Sequence, residues 1–326
     1  MLIPGNPLVA TINGASRWIK IGGFTFQPSE LAKLSLIIVV TDLLSRIRTD
    51  EDKRHYFYWT LGLTAATALP IMTGNLSTAV LLGGIVLILW FLARIPWKYI
   101  LATVGIAFVL LAAGYAIVEF GFIRRGKTIE RGPFKRAITW VNRIDDIFTE
   151  HKDKTAEFKL TDDNYQRSIA KVAVARGGKS PLGVLPGNSQ ERDYLPQAFA
   201  DYIFAIIVEE SGIFGAVVLI FIYMAVLFRA CLTSSRFGDY AALLMVMGLA
   251  LMLTCQALVS MMVAVGLGPV TGQPLPLISR GGTSALITSA YFGIIMSVSR
   301  EQRELSERQK ITTEESLNDV PDIELE

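Results

Sequence analysis

The chain has 326 residues, 52% of them hydrophobic and only 18% charged, with a mean hydropathy of +0.44 and a formal net charge of +2. Soluble domains carry about 25% charged residues and rarely such long apolar runs, so the composition is that of an integral membrane protein. The small net charge gives no footing for a nucleic-acid partner. Two cysteines (Cys231, Cys255) and two widely separated histidines (His55, His151) give no sign of a disulfide framework, a Cys-rich metal site or a two-histidine metal centre.

The opening stretch, "MLIPGNPLVATINGASRWIK", lacks a basic leader followed by a long apolar run, so no signal peptide is read there. In "GASRWIKIGGFTFQPSELAKLSLIIVV", Pro28 suits the first turn of a helix, and Glu30 and Lys33, three apart, share one helix face. Their ordinary role is an ion pair at the membrane edge. The functional alternative makes Lys33 and Arg17 cationic contacts for a phosphate-bearing lipid, since Arg grips phosphate in a bidentate fork.

A helix of about 20 apolar residues crosses the hydrocarbon core of a bilayer. Seven segments qualify: 29–46, 56–73, 76–94, 98–119, 202–228, 239–264 and 283–299. The second and third are separated only by "TGNLST", which requires a tight turn. The architecture expected is therefore all-α, a polytopic helical membrane protein. Lys and Arg in short loops prefer the cytoplasm. The basic stretches 45–55, 93–98, 228–237 and 299–310 alternate correctly with the spans and fall on one side, inside. The N-terminus, the turn at 74–78, the long 120–201 segment and 265–282 then lie outside. The 120–201 segment is itself basic, but it exceeds the length over which the charge rule operates. An N-terminus outside the membrane, with neither a preceding span nor a leader, implies that further N-terminal helices are missing. The membrane domain is read as 1–299. From about 300 the chain is charged, and "TTEESLNDVPDIELE" reads as an acidic, disordered cytoplasmic tail to residue 326.

Three carboxylates crowd the start of the fifth span, in "YLPQAFADYIFAIIVEESGIFG". The run 211–228 is long enough, at about 1.5 Å per residue, to cross most of the hydrocarbon alone, so Asp201 to Glu210 would occupy the outer interface. Asp201 is then either a helix cap or a general base, its carboxyl tuned by Phe199, Tyr202 and Phe204. For Glu209 and Glu210 the stronger reading is pairing with Lys or Arg of the 120–201 segment. Later, "GLGPVTGQPLPLISRGGTSALITSAYFG" is too rich in proline and glycine to be a regular helix. Irregular backbone at membrane depth is tolerated where it is buried in protein or lines a watery cavity. Gly281, Gly282, Thr283 and Ser284 would open the last helix with free N–H groups, an anion-friendly end, or serve only a re-entrant turn and small-residue packing.

Taken together, "NGASRWIKIGGFTFQPSELAKLSL", "GNLSTA", "NYQRSIAKVAVARGG", "LPQAFADYIFAIIVEESGIFG" and "PLPLISRGGTSALI" resemble, in order, the SEDS family (shape, elongation, division and sporulation), which includes RodA and FtsW. The likeness covers nearly the whole chain. It implies ten transmembrane helices, of which the seven here would be the fourth to tenth. It also implies a peptidoglycan glycosyltransferase that polymerises lipid II at the outer face of the bacterial cytoplasmic membrane. The acid before the "YIFA" run is the family's catalytic aspartate, here Asp201, and Lys33 matches a required basic residue of the "QPSELAK" helix. The chain departs from the usual pattern at Asn75 (commonly Asp), Ser77 (commonly Gly), Gln197-Ala198-Phe199 and Thr25.

The reaction so implied joins a sugar 4-hydroxyl to an anomeric carbon carrying polyprenyl diphosphate. Asp201 is expected as the base. Arg17, Lys33, Glu30, Gln166, Ser279, Arg280, Gly281, Gly282 and Ser284 are expected around the substrate, with no protein metal site. A divalent cation such as Mg2+ is the one cofactor considered for the leaving diphosphate. The 120–201 segment is expected to cover the site, and "NYQRSIAKVAVARGG" reads as an amphipathic helix lying on the outer surface. A class B penicillin-binding protein is the implied partner, and the charged tail and "ISRGGTS" favour an FtsW-like member. The competing class is a lipid flippase or other carrier, against which stand the lack of an inverted repeat and the gathering of polar residues at one face. A third class is a recruiting scaffold.

Overall fold

The computed structural model describes residues 9–12, 15–21, 24–120, 162–195, 198–235, 237–268 and 271–318. It opens with a three-stranded antiparallel meander: β1 (Val9–Ile12), β2 (Ala15–Ile21) and β3 (Phe24–Phe26). Val9 pairs with Ile19 and Ala10 with Trp18, while Ile19 pairs with Phe26 on the other side. This small sheet is an addition to the expected all-α architecture. Its signal was present in Asn13-Gly14 and Gly22-Gly23, dipeptides that favour two-residue hairpin turns between short β-prone runs.

The helices follow: α1 (Pro28–Ser45), α2 (Asp50–Gly74), α3 (Leu76–Leu92), α4 (Trp97–Val118), α5 (Asp162–Gly177), the single turn α6 (Glu191–Tyr194), α7 (Ile203–Ser234), α8 (Tyr240–Ala264) and α9 (Gly282–Asn318). Each of the seven expected spans is one of these helices. Among the described residues, α4, α7, α8 and the 282–309 stretch of α9 are long and apolar enough to cross a membrane, and α3 is a shorter apolar helix. Asn75 alone joins α2 to α3, caps α3 by accepting from the Thr78 N–H at 3.3 Å, and so makes the expected tight turn.

The α8 helix is the axis of the bundle. In lipid the hydrophobic effect between helices is weak, and close backbone approach through small residues takes over. Ala250, Ala257 and Ala264, seven apart, are all buried, and a methyl group at Gly248 would come within 2.9 Å of Ile37 and 3.3 Å of Leu89. Around α8, Ile37, Val40 and Leu44 of α1 pack with Leu82, Ile85 and Leu89 of α3 in one cluster. A second cluster joins Ala170 and Ala173 of α5, Tyr202, Phe204 and Ala205, and Ala257 and Met261 of α8. The α5 helix is therefore packed by its alanine face on α7 and α8, and does not merely lie on the surface. By contrast α4 buries only Ile100 and Val118, presenting apolar side chains all round as a lipid-facing helix does.

The first part of the expected acidic tail, 312–318, is helical, and 319–326 lies outside the described residues. Helix α9 continues to Asn318, because "EQRELSERQK" is made of strong helix formers and Arg300 pairs with Glu304 at 2.8 Å one turn on.

Candidate active site

One end of the bundle is organised by the irregular segment between α8 and α9. Its described part, 271–281, is tied to every neighbour by polar groups that an apolar span would not otherwise contain. Asn75 Nδ2 donates to the Thr271 carbonyl at 3.0 Å, and Gln273 Nε2 donates to Thr78 Oγ1 at 3.1 Å. An aspartate at position 75 could not make the first bond, which gives that departure a local chemical reason. The Tyr223 hydroxyl of α7 donates to the Pro276 carbonyl. Gln256 of α8 donates to the Pro274 carbonyl at 3.1 Å and accepts from Lys33 Nζ at 2.8 Å.

Lys33 is completely buried and its ammonium stands 2.8 Å from Glu30. The pair expected at the membrane edge thus lies inside the protein, and a charge there needs both its counter-ion and a further acceptor. Lys33 is consequently a link between α1, α8 and the 271–281 segment, with its ammonium held by Glu30 and Gln256. Gln256 is not among the residues that the sequence marks for the site. A lone amide within "LMLTCQALVSMM" was the available clue, since polar groups inside spans are rarely idle.

Asp201 lies in the turn 198–202 that leads into α7, half-buried between the buried Tyr202 and the exposed Phe199. Tyr202, not Asp201, is the N-cap residue of α7, and the Tyr202 side chain makes no capping bond. The turn is fastened directly to the 271–281 segment. The Arg280 N–H donates to the Phe199 carbonyl at 2.7 Å, and the Ser279 hydroxyl donates to the Ala200 carbonyl while accepting from the Leu275 N–H at 2.7 Å. The Asp201 turn and the Arg280-bearing loop therefore share one junction, with the Arg280 side chain exposed beside it.

The remaining expected residues divide. Ser279 is buried and occupied by backbone partners, so it holds the junction together. Gly282 begins α9 as expected, the Ala285 N–H bonds to the Gly281 carbonyl at 2.9 Å, and Ser284 is buried. Gln166 is half-buried on α5, where the neighbouring Arg167 donates to the Gly268 carbonyl at 3.2 Å. Arg17 lies on β2, and its side chain is outside the described residues. Glu209 and Glu210 do pair with arginines of the 120–201 segment: Arg176 stands 3.7 Å from Glu209 and Arg192 stands 3.9 Å from Glu210. Among the described residues, no three His, Cys, Asp or Glu side chains gather as a metal-ligand set.

The profile of the FtsW/RodA/SpoVE cell cycle proteins matches residues 1–304. The chain belongs to that family. A probable peptidoglycan glycosyltransferase FtsW of Nitrosomonas europaea is 32% identical over 311 residues, covering 93% of this chain and 72% of the relative. The peptidoglycan glycosyltransferase MrdB of Escherichia coli is 28% identical over 306 residues, covering 94% and 76%. Among solved structures, a peptidoglycan synthase complex described as coordinating polymerization and crosslinking superposes with a TM-score of 0.64 at 25% identity, over 91% of this chain and 76% of its own. The RodA of Thermus thermophilus shares the fold, with a TM-score of 0.56 at 23% identity over 91% and 73%. The protein is thus a multi-pass membrane member of the family.

Proposed function

We propose that the chain is a peptidoglycan glycosyltransferase that polymerises lipid II, with Asp201 as the general base. The observation that carries this reading is the junction of the Asp201 turn with the Ser279–Arg280 loop, because it brings a half-buried carboxylate and an exposed guanidinium to the same end of the bundle. A sugar hydroxyl is a poor nucleophile near neutral pH, and a positioned carboxylate that takes its proton accelerates attack by about 10²–10⁴-fold. As the acceptor 4-hydroxyl attacks the anomeric carbon of the donor, the bond to polyprenyl diphosphate breaks. In this reading Arg280 meets the negative charge that builds on the departing diphosphate, with Arg17 as a second cation.

Mg2+ is commonly held by one or two carboxylates together with substrate phosphates. Asp201 is the only acid of the junction among the described residues, and Glu30 is engaged by Lys33. The described residues therefore form no protein cage for the ion, which would arrive with the diphosphate and leave the Asp201 carboxylate to take the proton. Such an ion would add charge neutralisation at the phosphates.

The site faces outside if the four basic loops lie in the cytoplasm of a bacterial inner membrane, the orientation we adopt. The peptidoglycan synthase complex supports a class B penicillin-binding protein as the partner, and lipid II as the lipid substrate follows from the reaction. Incubating the purified protein with labelled lipid II in proteoliposomes tests the function. Glycan polymer is the expected product. Transfer of lipid II between leaflets without polymer would instead identify a flippase, and neither would leave a scaffold.

A further inference from the structure

Eight residues beyond Asp201, the Glu209 side chain is shut off from solvent entirely. Its two carboxylate oxygens are nevertheless fully used. The Ser189 hydroxyl donates to Oε2 at 2.5 Å, the Gln190 N–H donates to Oε1 at 3.2 Å, and the Arg176 guanidinium stands 3.7 Å from Oε1. Arg176 in turn donates to Gln190 Oε1 at 2.5 Å and lies 4.0 Å from Glu191. The backbone joins in, the Val184 N–H donating to the Glu209 carbonyl at 2.9 Å.

The contact is close as well as polar. Helix α7 leaves helical geometry at Gly212 (φ 66°, ψ −162°), where a Cβ would lie 2.4 Å from the Gly183 nitrogen and the Pro181 oxygen. Gly183, also at positive φ, would collide in the same way with Glu209 and Gly212. Together these contacts lock residues 176–192 edge-on against the first half of α7.

A buried carboxylate paired with a partly exposed guanidinium is a poor way to gain stability, since an apolar side chain of similar volume does as well or better; the best-attested use of such a buried charge is to fix one register among several. The register fixed here is that of the chain on both sides of Asp201. The segment 176–192 leads into the turn 198–202, and the turn leads into α7, on which Glu209 sits. We propose that Glu209 is a positioning residue for the Asp201 turn. Its carboxylate clasps the 176–192 segment to α7, so that the turn, held on its other side by Ser279 and Arg280, presents Asp201 in a single geometry. The proposal rests on the reading of Asp201 as the base.

Misplacing a catalytic group by about 1 Å costs about 10²-fold in rate. In the lipid II polymerisation assay, Glu209→Gln should lower kcat by roughly 10–100-fold with KM changed by less than about threefold. Tryptic cleavage after the exposed Lys179 in the same preparation should become faster, reporting a loosened clasp. Ser189→Ala, a milder change that removes one donor and leaves the charges in place, should move both readouts in the same direction by a smaller factor. Faster cleavage with parental kcat in either variant overturns the proposal, because the clasp would then be structural only. A fall in kcat with parental cleavage also overturns it. Should Glu209→Gln fail to fold, Ser189→Ala alone decides by the same criteria. Asp201→Asn, assayed in parallel, separates the two claims: if it polymerises at the parental rate, the base assignment falls, whatever the clasp variants do.

Discussion

Lys33 Nζ is buried 2.8 Å from Glu30 and 2.8 Å from the Gln256 amide oxygen, and these contacts make the side chain costly to remove. Lys33→Met would strand the Glu30 carboxylate in a dry site, a change that typically costs about 3–5 kcal/mol. Thermal unfolding in detergent should show that loss, and the double variant Lys33→Met/Glu30→Gln should recover much of it. A melting curve unchanged by Lys33→Met would contradict the network described for this residue. The Glu30–Lys33 half of the network was legible in the sequence, because residues three apart on a helix face one another. The Gln256 half was not. It lies 223 positions away from Lys33, and only the packing of α1 on α8 brings the two together. Asp201 shows the same division: its residue type and neighbours marked it, whereas the bonds to its turn from the Ser279 hydroxyl and the Arg280 N–H depend on a fold that no local spacing encodes.

At the scale of the element, the kink in α7 is the feature most exposed to a single change. Gly212→Ala forces an L side chain into a backbone region that is essentially glycine-only, costing about 1–3 kcal/mol before the clash with Pro181 and Gly183 is counted. Destabilisation confined to residues 178–190 and the first half of α7, read by hydrogen exchange, is expected. The polar start of α2, ahead of its apolar run, carries the clearest pH signal. Thr49 caps the helix and Asp52 closes a capping box, accepting from the Thr49 N–H at 2.8 Å and the Arg48 N–H at 3.0 Å. Those backbone donors, Thr49 first, hold the Asp52 carboxyl below its usual range, and the hydrogen bond from Lys53 does the same for Asp50. Both folded values lie below the unfolded one, so their contribution is complete above about pH 4 and is lost as the pH falls through the lowered values. Amide exchange in the first turn of α2, corrected for intrinsic rates, should stay constant from pH 7 to about pH 5 and accelerate only in more acid solution. Element boundaries were largely legible from apolar run length. The β-meander was not read, since its strands are short and only their turn dipeptides announce them. The helical extension of α9 to Asn318 was hidden behind its charge.

For the molecule as a whole, the structure brings alternate connections to opposite ends of the bundle. The Tyr240 hydroxyl donates to the Leu92 carbonyl at 2.7 Å, placing the α7–α8 link beside the α3–α4 link. At the other end, Asn75 reaches Thr271, and the Asp201 turn joins Arg280. With the basic loops inside, a cysteine reporter at Leu277 should react with an impermeant maleimide in intact cells, and one at Ser235 only after permeabilisation, both in a Cys231→Ser/Cys255→Ser background. The reverse pattern would put the junction on the wrong side for an outward-facing polymerase. The most direct test is one substitution. Asp201→Asn, which keeps the side chain's shape and removes its capacity as a base, should lower lipid II polymerisation by about 10²-fold or more while leaving the melting temperature near that of the parent. Polymer formed at the parental rate by the folded Asp201→Asn protein would contradict the assignment of this carboxylate to the chemistry.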